Sequence, residues 1–209
     1  MSPSIDFWFS IGSTYTYLSV MRLETVERQS GVVFRWHPFD VRAIMIEMDN
    51  VPFSTKPIKE RYMWRDIERR AKKHGLPWSC IPPYPIKYLG FINRVALVGA
   101  EEGWCAQYVK AAYQRWFGTG QDPSLEPELA ATLKGIGQNP GEVLASATSD
   151  KMKAALQSQT DAARALEIFG SPTFAVGKEV FWGDDRVDDA IEWHRQGAPA
   201  RAGAGEAGS

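Results

Sequence analysis

The sequence predicts an α/β domain in which a β–α–β unit and a β–β–α unit are separated by a large all-helical insertion. Three observations predict it. Two short aromatic and β-branched runs flank a helical pattern near the N-terminus, and two more, joined by a glycine-containing link, stand near the C-terminus. Between them the long middle carries helical periodicity. At 209 residues the chain can bury a core without disulfides or metal, and 44% hydrophobic with 23% charged residues is an ordinary globular balance.

The first run, "IDFWFS" at 5–10, is long enough for a buried strand and too short for a helix, and it stops at Gly12. From Ser13 or Thr14 onward, Tyr15, Ser19, Leu23 and Val26 recur at the spacing of one helical face, and Gly31 supplies the stop. "VVFRWHPF" at 32–39 is the second strand. Strand, helix and strand at this spacing favour a parallel pair.

After a loop holding Pro52 and Pro57, residues 58–74 place Met63, Ile67 and Ala71 on one face and basic residues elsewhere, and the pattern ends at Gly75. The basic run is most simply a solvated face. The proline-rich "WSCIPPYPIKY" is a loop; helices follow over 88–100 and where Tyr108, Ala112 and Trp116 fall at i, i+4 and i+8. "NPGE" opens another, with Asn139 as cap, proline in the first turn and Glu142 three residues after the cap. A last insertion helix spans 150–169. "TFAV" and "EVFW" then pair through Gly177 and Lys178 as a hairpin. A closing helix from Asp184 to Arg195 has acidic residues at its start and His194 and Arg195 at its end, as the helix dipole prefers.

This order is the one used by thioredoxin-like domains. Residues 1–40 and 170–197 form the discontinuous thioredoxin-like domain, 41–169 the helical insertion, and 198–209 a Gly- and Ala-rich disordered tail.

With 24 basic and 25 acidic residues, a net charge of −1 argues against nucleic acid or an anionic membrane as partner. There is no apolar run of membrane length and no signal-peptide pattern at the start, so a cytoplasmic location is expected. Cys80 and Cys105 form no CxxC and have no histidine at zinc spacing, so no metal site is expected and two reduced core thiols are the simple reading.

A thioredoxin-like domain has two diagnostic places. The first is the N-terminus of the first helix, here "GSTYTYL" at 12–18. Dithiol exchange needs a cysteine at each end of a four-residue motif; Ser13 and Thr16 stand there, so redox chemistry of the protein's own sulfur is excluded. A hydroxyl at a helix N-terminus can instead donate to an anion such as another molecule's thiolate, or it can simply cap the helix. The second place is "GSPTF", where a cis Ser171–Pro172 bond would present the Ser171 backbone to an extended peptide. Asp184 and Asp185 in "WGDDR" either serve the helix dipole or receive an α-amino group.

The stretches "DFWFSIGSTYTYL" and "FGSPTFAVGKEVFWGDDR" resemble the two signature ends of the 2-hydroxychromene-2-carboxylate isomerase family, relatives of the kappa-class glutathione transferases among DsbA-like thioredoxin folds. The likeness continues through "DVRAIMIEMDNVPFSTK" and "KERYMWRDIERRAKKHGLPW" and covers all but the tail. It implies an enzyme that uses glutathione as cofactor and converts 2-hydroxychromene-2-carboxylate to trans-o-hydroxybenzylidenepyruvate by reversible thiolate addition, in naphthalene-type aromatic degradation. It implies Ser13 as the catalytic residue and Ser171, Pro172, Trp182, Gly183, Asp184 and Asp185 as glutathione contacts. Thr55, Lys56 and Tyr84 resemble substrate contacts. The expected partners are glutathione, a small aromatic substrate and a second copy of the chain.

Two residues depart from the family pattern. Thr14 stands where proline commonly follows the serine, and an ungapped reading puts Met45, with Arg42 nearby, where members carry a lysine. The second departure bears on the contact to the substrate carboxylate. A kappa-like transferase using the same site is the alternative, and a binding module without chemistry is a further one. A serine hydrolase is excluded by the absence of a GxSxG elbow.

Overall fold

The computed structural model describes residues 4–50, 53 and 55–197. The 198–209 tail therefore lies outside the described residues, and so does Pro52 of the predicted loop.

Four strands form one mixed sheet: β1 (Ser4–Phe9), β2 (Val33–Pro38), β3 (Thr173–Val176) and β4 (Glu179–Trp182), in the order β2-β1-β3-β4. β1 runs parallel to β2 and antiparallel to β3, with Phe7 opposite both Trp36 and Phe174. The β3–β4 pair is the antiparallel hairpin that Gly177 and Lys178 predict, and Gly177 has the positive φ such a turn requires. Side chains alternate across the pleat: Ile5, Phe7 and Phe9 enter the larger core cluster, and Trp8 packs with Ala175, Ile44 and Ile168 in a smaller one.

Between β1 and β2 lies α1 (Thr16–Ser30), closed by Gly31 in the left-handed conformation. Burial of its first turn extends beyond one face, because Thr16, Tyr17, Leu18, Ser19 and Val20 are all enclosed. The enclosing elements come from the segment between β2 and β3. They are α2 (Val41–Glu47), α3 (Pro57–Lys73), α4 (Leu89–Glu102), α5 (Cys105–Tyr113), α6 (Glu128–Gly135), α7 (Pro140–Thr148) and α8 (Asp150–Ala165). A π-helical turn, Gln114–Gly118, follows α5, and a 3₁₀ turn, Asp184–Arg186, precedes α9 (Val187–Arg195). One buried cluster runs from Phe7 and Phe9 through Tyr17 to Val95, Tyr113 and Trp116, so sheet and inserted helices share a core.

Most predicted elements stand where periodicity puts them. Met63, Ile67 and Ala71 are the buried face of α3, Tyr108, Ala112 and Trp116 are fully buried, and the Asn139 side chain accepts the Gly141 N–H as the cap of α7. Three differences have physical reasons. The helix predicted over 150–169 stops at Ala165, because Glu167 turns left-handed (φ 59°) and Ile168 N–H bonds back to the Ala163 carbonyl. The closing helix begins as a 3₁₀ turn and becomes α-helical only at Val187. Sequence reading passed over α2 and α6 because each is short, although Asp40 marks the start of α2 by accepting the Arg42 and Ala43 N–H groups.

Among the described residues no helix is long and apolar enough to cross a membrane. Of the two cysteines expected in the core only Cys105 is buried, and burial pushes its thiol far above its ordinary pKa; Cys80 stands exposed in the proline-rich loop.

Candidate active site

The end of β1 and the start of α1 meet the loop before β3, which brings the two diagnostic stretches together. Ser13 Oγ donates to the Ser171 carbonyl at 2.5 Å, across 158 residues of sequence. The Ser171 hydroxyl accepts the Ser10 N–H at 2.9 Å and lies 2.8 Å from Thr16 Oγ1. The Ser171–Pro172 peptide is cis. Pro172 in turn accepts the Gly183 N–H at 2.9 Å, which ties the end of β4 to the same point.

Ser13 is not the helix cap that periodicity allowed. The helix proper begins at Thr16, the cap position is held by Tyr15 without a side-chain bond, and Ser13 occupies the preceding turn closed by its own N–H on the Ser10 carbonyl at 3.1 Å. Gly12 makes that turn possible: its φ is +121°, and a Cβ there would run into the Leu89 side chain.

Two cavities adjoin at this junction and share Tyr15, Ser171 and Trp182. The smaller, about 210 Å³, is walled by Ser13, Val41, Met45, Phe53, Tyr84 and Leu89 and carries two cations, Arg42 and Lys59. The larger, about 440 Å³, lies beyond Trp182 and is lined by Tyr62, Asp66, Arg70, Pro172, Gly183, Asp184 and Asp185. Tyr84 packs edge-on to Trp64 and Phe53; burial raises its phenol pKa, with Arg42 pulling the other way. Tyr15 donates to Asp66 at 3.1 Å, and burial together with that carboxylate keeps the phenol protonated far above its usual range.

The structure separates the expected site residues. Ser13, Ser171, Pro172, Trp182, Gly183, Asp185 and Tyr84 face the paired cavities. Asp184 touches the larger cavity, but its carboxylate is almost wholly buried: it accepts the Ser19 hydroxyl at 3.1 Å and pairs with Arg70 at 2.8 Å and Arg22 at 3.4 Å. Burial works against the Arg70 charge, yet the bond to Asp184 prevails and holds its pKa above the usual guanidinium value. Of the acidic pair, Asp185 is therefore the member left exposed. Thr55 and Lys56 stand exposed at the start of α3, outside the lining of the smaller cavity; the lysine that lines it is Lys59, one turn on. Met45 and Arg42 both line it, so the departure from the family pattern leaves a cation in place, supplied from the first turn of α2.

Tyr15, Asp66 and Arg70 escaped sequence reading because they fall within ordinary helical patterns, two of them in the basic face of α3. The Asp40 cap, which sets Arg42 in the first turn of α2, was the signal available for Arg42.

Trp182 is the shared wall, about half exposed, and packs edge-on to Phe169 at 5.0 Å. Gly170 allows its position, because a Cβ there would overlap the indole. Gly170→Ala should push Trp182 across the cavity mouth and weaken binding of a peptide-like ligand about 10-fold, a loss on the scale of one good hydrogen bond. Calorimetric titration of glutathione into the variant measures it; affinity equal to wild type would release Trp182 from the wall.

This geometry, a mixed four-stranded sheet with a helix N-terminus facing a cis-proline loop, defines a thioredoxin-like protein without the cysteine pair. The chain belongs to the DSBA-like thioredoxin domain family, whose model matches residues 4–192. It is 28% identical to 2-hydroxychromene-2-carboxylate isomerase of Sphingobium xenophagum over 90% of this chain and 96% of that protein. It is also 26% identical to glutathione S-transferase kappa 1 of Caenorhabditis elegans, over 88% of this chain and 87% of that one. A solved 2-hydroxychromene-2-carboxylate isomerase structure superposes with a TM-score of 0.80 at 27% identity, covering 93% of this chain and 97% of the other. The family resemblance read from the two signature ends therefore extends along the whole fold.

Proposed function

We propose that the chain is a glutathione-dependent isomerase acting on 2-hydroxychromene-2-carboxylate or a close aromatic keto acid. The observation that carries this reading is the Ser13 hydroxyl, set at the junction of an apolar, cation-bearing cavity and a polar, carboxylate-bearing one.

The donor set fits glutathione. Asp185 offers an exposed carboxylate for the γ-glutamyl ammonium, Trp182 and the cis-proline loop form a wall for the peptide, and Ser13 offers a hydroxyl to the sulfur. The chemistry glutathione supplies when bound is reversible thiolate addition to a conjugated carbon, which turns a double bond into a single bond free to rotate. Ser13 would turn its proton from the Ser171 carbonyl to the sulfur and so favour the ionised thiol. Val41, Phe53, Tyr84 and Leu89 exclude water from the aromatic ring, and Arg42 and Lys59 take the substrate carboxylate.

The test follows, by absorbance, the equilibration of 2-hydroxychromene-2-carboxylate with trans-o-hydroxybenzylidenepyruvate, with and without glutathione. Acceleration that requires both protein and glutathione is expected. Glutathione binding without acceleration, together with formation of a stable thioether from an aromatic electrophile, would replace this reading by a kappa-like transferase, which the likeness to the nematode enzyme favours second.

A further inference from the structure

The turn that carries Ser13 is held from outside the sheet by two fully buried polar side chains of the inserted helices. From α5, the Tyr113 hydroxyl lies 2.9 Å from the Ser13 carbonyl and 3.2 Å from the Ser10 carbonyl. From α4, Asn93 accepts the Ile11 N–H at 2.8 Å through Oδ1 and donates through Nδ2 to Ser10 Oγ and to the Leu89 carbonyl, each at 3.0 Å. These contacts reach both ends and the middle of residues 10–13, and they meet a backbone that Gly12 leaves free of side-chain constraint. We infer that Tyr113 and Asn93 are positioning residues for Ser13, fixing the direction of its hydroxyl so that these two side chains take part in the reaction without touching the substrate.

Two further observations support a directional role. Tyr113 stands where α5 passes into the π-helical turn Gln114–Gly118, and that turn sets Phe117 flat against Tyr17 of α1 at 4.1 Å and directs Trp116 Nε1 to the Pro83 carbonyl at 2.7 Å. The helix end is thereby keyed to α1 and to the loop that carries Tyr84. On the same helix, Tyr108 is equally buried, but its hydroxyl has no partner among the described residues. Two buried tyrosines one and a half turns apart thus differ in the one property that matters here, since only Tyr113 reaches the serine turn.

Tyr113→Phe removes the hydroxyl and keeps the ring, while Tyr108→Phe makes the same change on the same helix away from the turn. The inference rests on the glutathione reading above, so the readout is the ionisation of the bound thiol, followed by ultraviolet titration of the glutathione complex well below the melting temperature. Tyr113→Phe should raise the pKa of the bound thiol by about half to one unit and lower kcat about three- to tenfold with KM little changed, the scale of one net hydrogen bond. Tyr108→Phe should leave the thiol pKa as in wild type. Should Tyr113→Phe fold too weakly to titrate, Ser10→Ala, which deletes an acceptor of Asn93 with minimal loss of volume, must shift the thiol in the same direction. A thiol pKa unchanged in the variant that folds, or raised equally by Tyr108→Phe, would reduce Tyr113 to a packing residue and overturn the inference while leaving the glutathione reading intact. Failure of the wild-type protein to bind glutathione would overturn that reading and the inference with it.

Discussion

Ser13→Ala is expected to lower kcat about 10- to 100-fold and to raise the pKa of the bound thiol by about one to two units, the range for losing a hydrogen bond to a charged group. Glutathione affinity at a pH where the thiol is protonated should change little, because the hydroxyl favours the ionised form. The fold should tolerate the change. Ser13 is only half-buried, and what it leaves behind is the Ser171 carbonyl, which loses one donor. A destabilisation of about 1 kcal/mol would move the melting temperature only about 2–4 °C in a chain of this size. Pre-steady-state rates, thiol titration and a melting curve on one preparation separate the effects. A variant that turns over at the wild-type rate would remove Ser13 from the mechanism.

The resting contact explains why so small a group can have so large an effect. The Ser13 proton is directed at the Ser171 carbonyl, 2.5 Å away, at the junction of the two cavities. A ligand sulfur entering there offers an anion in place of a neutral acceptor, in a cavity whose other walls are largely apolar and whose nearest fixed charges include Arg42 and Lys59. Low local polarity strengthens a charge-assisted bond, and a preformed turn avoids reorganisation during reaction. Thr14, in the position where relatives of this type commonly have proline, is compatible with this arrangement. Its hydroxyl turns away from the junction to Met63 Sδ at 3.0 Å, and its backbone keeps the turn that leads into α1.

Much of this architecture was legible in the sequence because it depends on local pattern. The short apolar and aromatic run of β1, the glycine-containing hairpin link and the capped start of α7 each follow from short-range sterics and hydrogen bonding. Ser13, Ser171, Trp182 and Asp185 were legible for a different reason, since they lie in contiguous stretches whose chemistry is recognisable as strings. What stayed hidden depends on distance. No spacing rule connects Asp184 to Arg22 and Arg70, or Tyr113 to Ser13, because each pair is far apart in sequence, and the Arg70 and Tyr113 contacts form only after the inserted helices fold back on the sheet. Lys59 was passed over in favour of Lys56 because the resemblance gives a loop, whereas the helical turn from Pro57 decides which lysine lines the cavity.

Asp184→Asn should cost about 3 kcal/mol of stability, equivalent to roughly 6–12 °C in melting temperature for a chain of this length. The side chain is 1% exposed and holds Arg70, Arg22 and Ser19 at once, whereas the arginines retain 27% and 18% of their exposure. Removing the carboxylate leaves two guanidinium groups near each other with no anion between them, and Nε of each already lacks a hydrogen-bond partner among the described residues. Their partial contact with water keeps the loss at the lower end of what breaking a buried pair costs. Asp185→Asn is the informative contrast. That carboxylate is about half exposed, and among the described residues its ion pair is with exposed Arg186 at 3.6 Å, so its neutralisation should shift stability by no more than about 0.5 kcal/mol. It should nevertheless weaken glutathione binding about 10-fold, as loss of a charge-assisted bond to the γ-glutamyl ammonium requires. Thermal melting and calorimetric titration of the two variants therefore test opposite roles for adjacent residues. If Asp184→Asn melted with wild type while Asp185→Asn melted early, the division drawn here between a buried anchor and an exposed recognition carboxylate would be wrong.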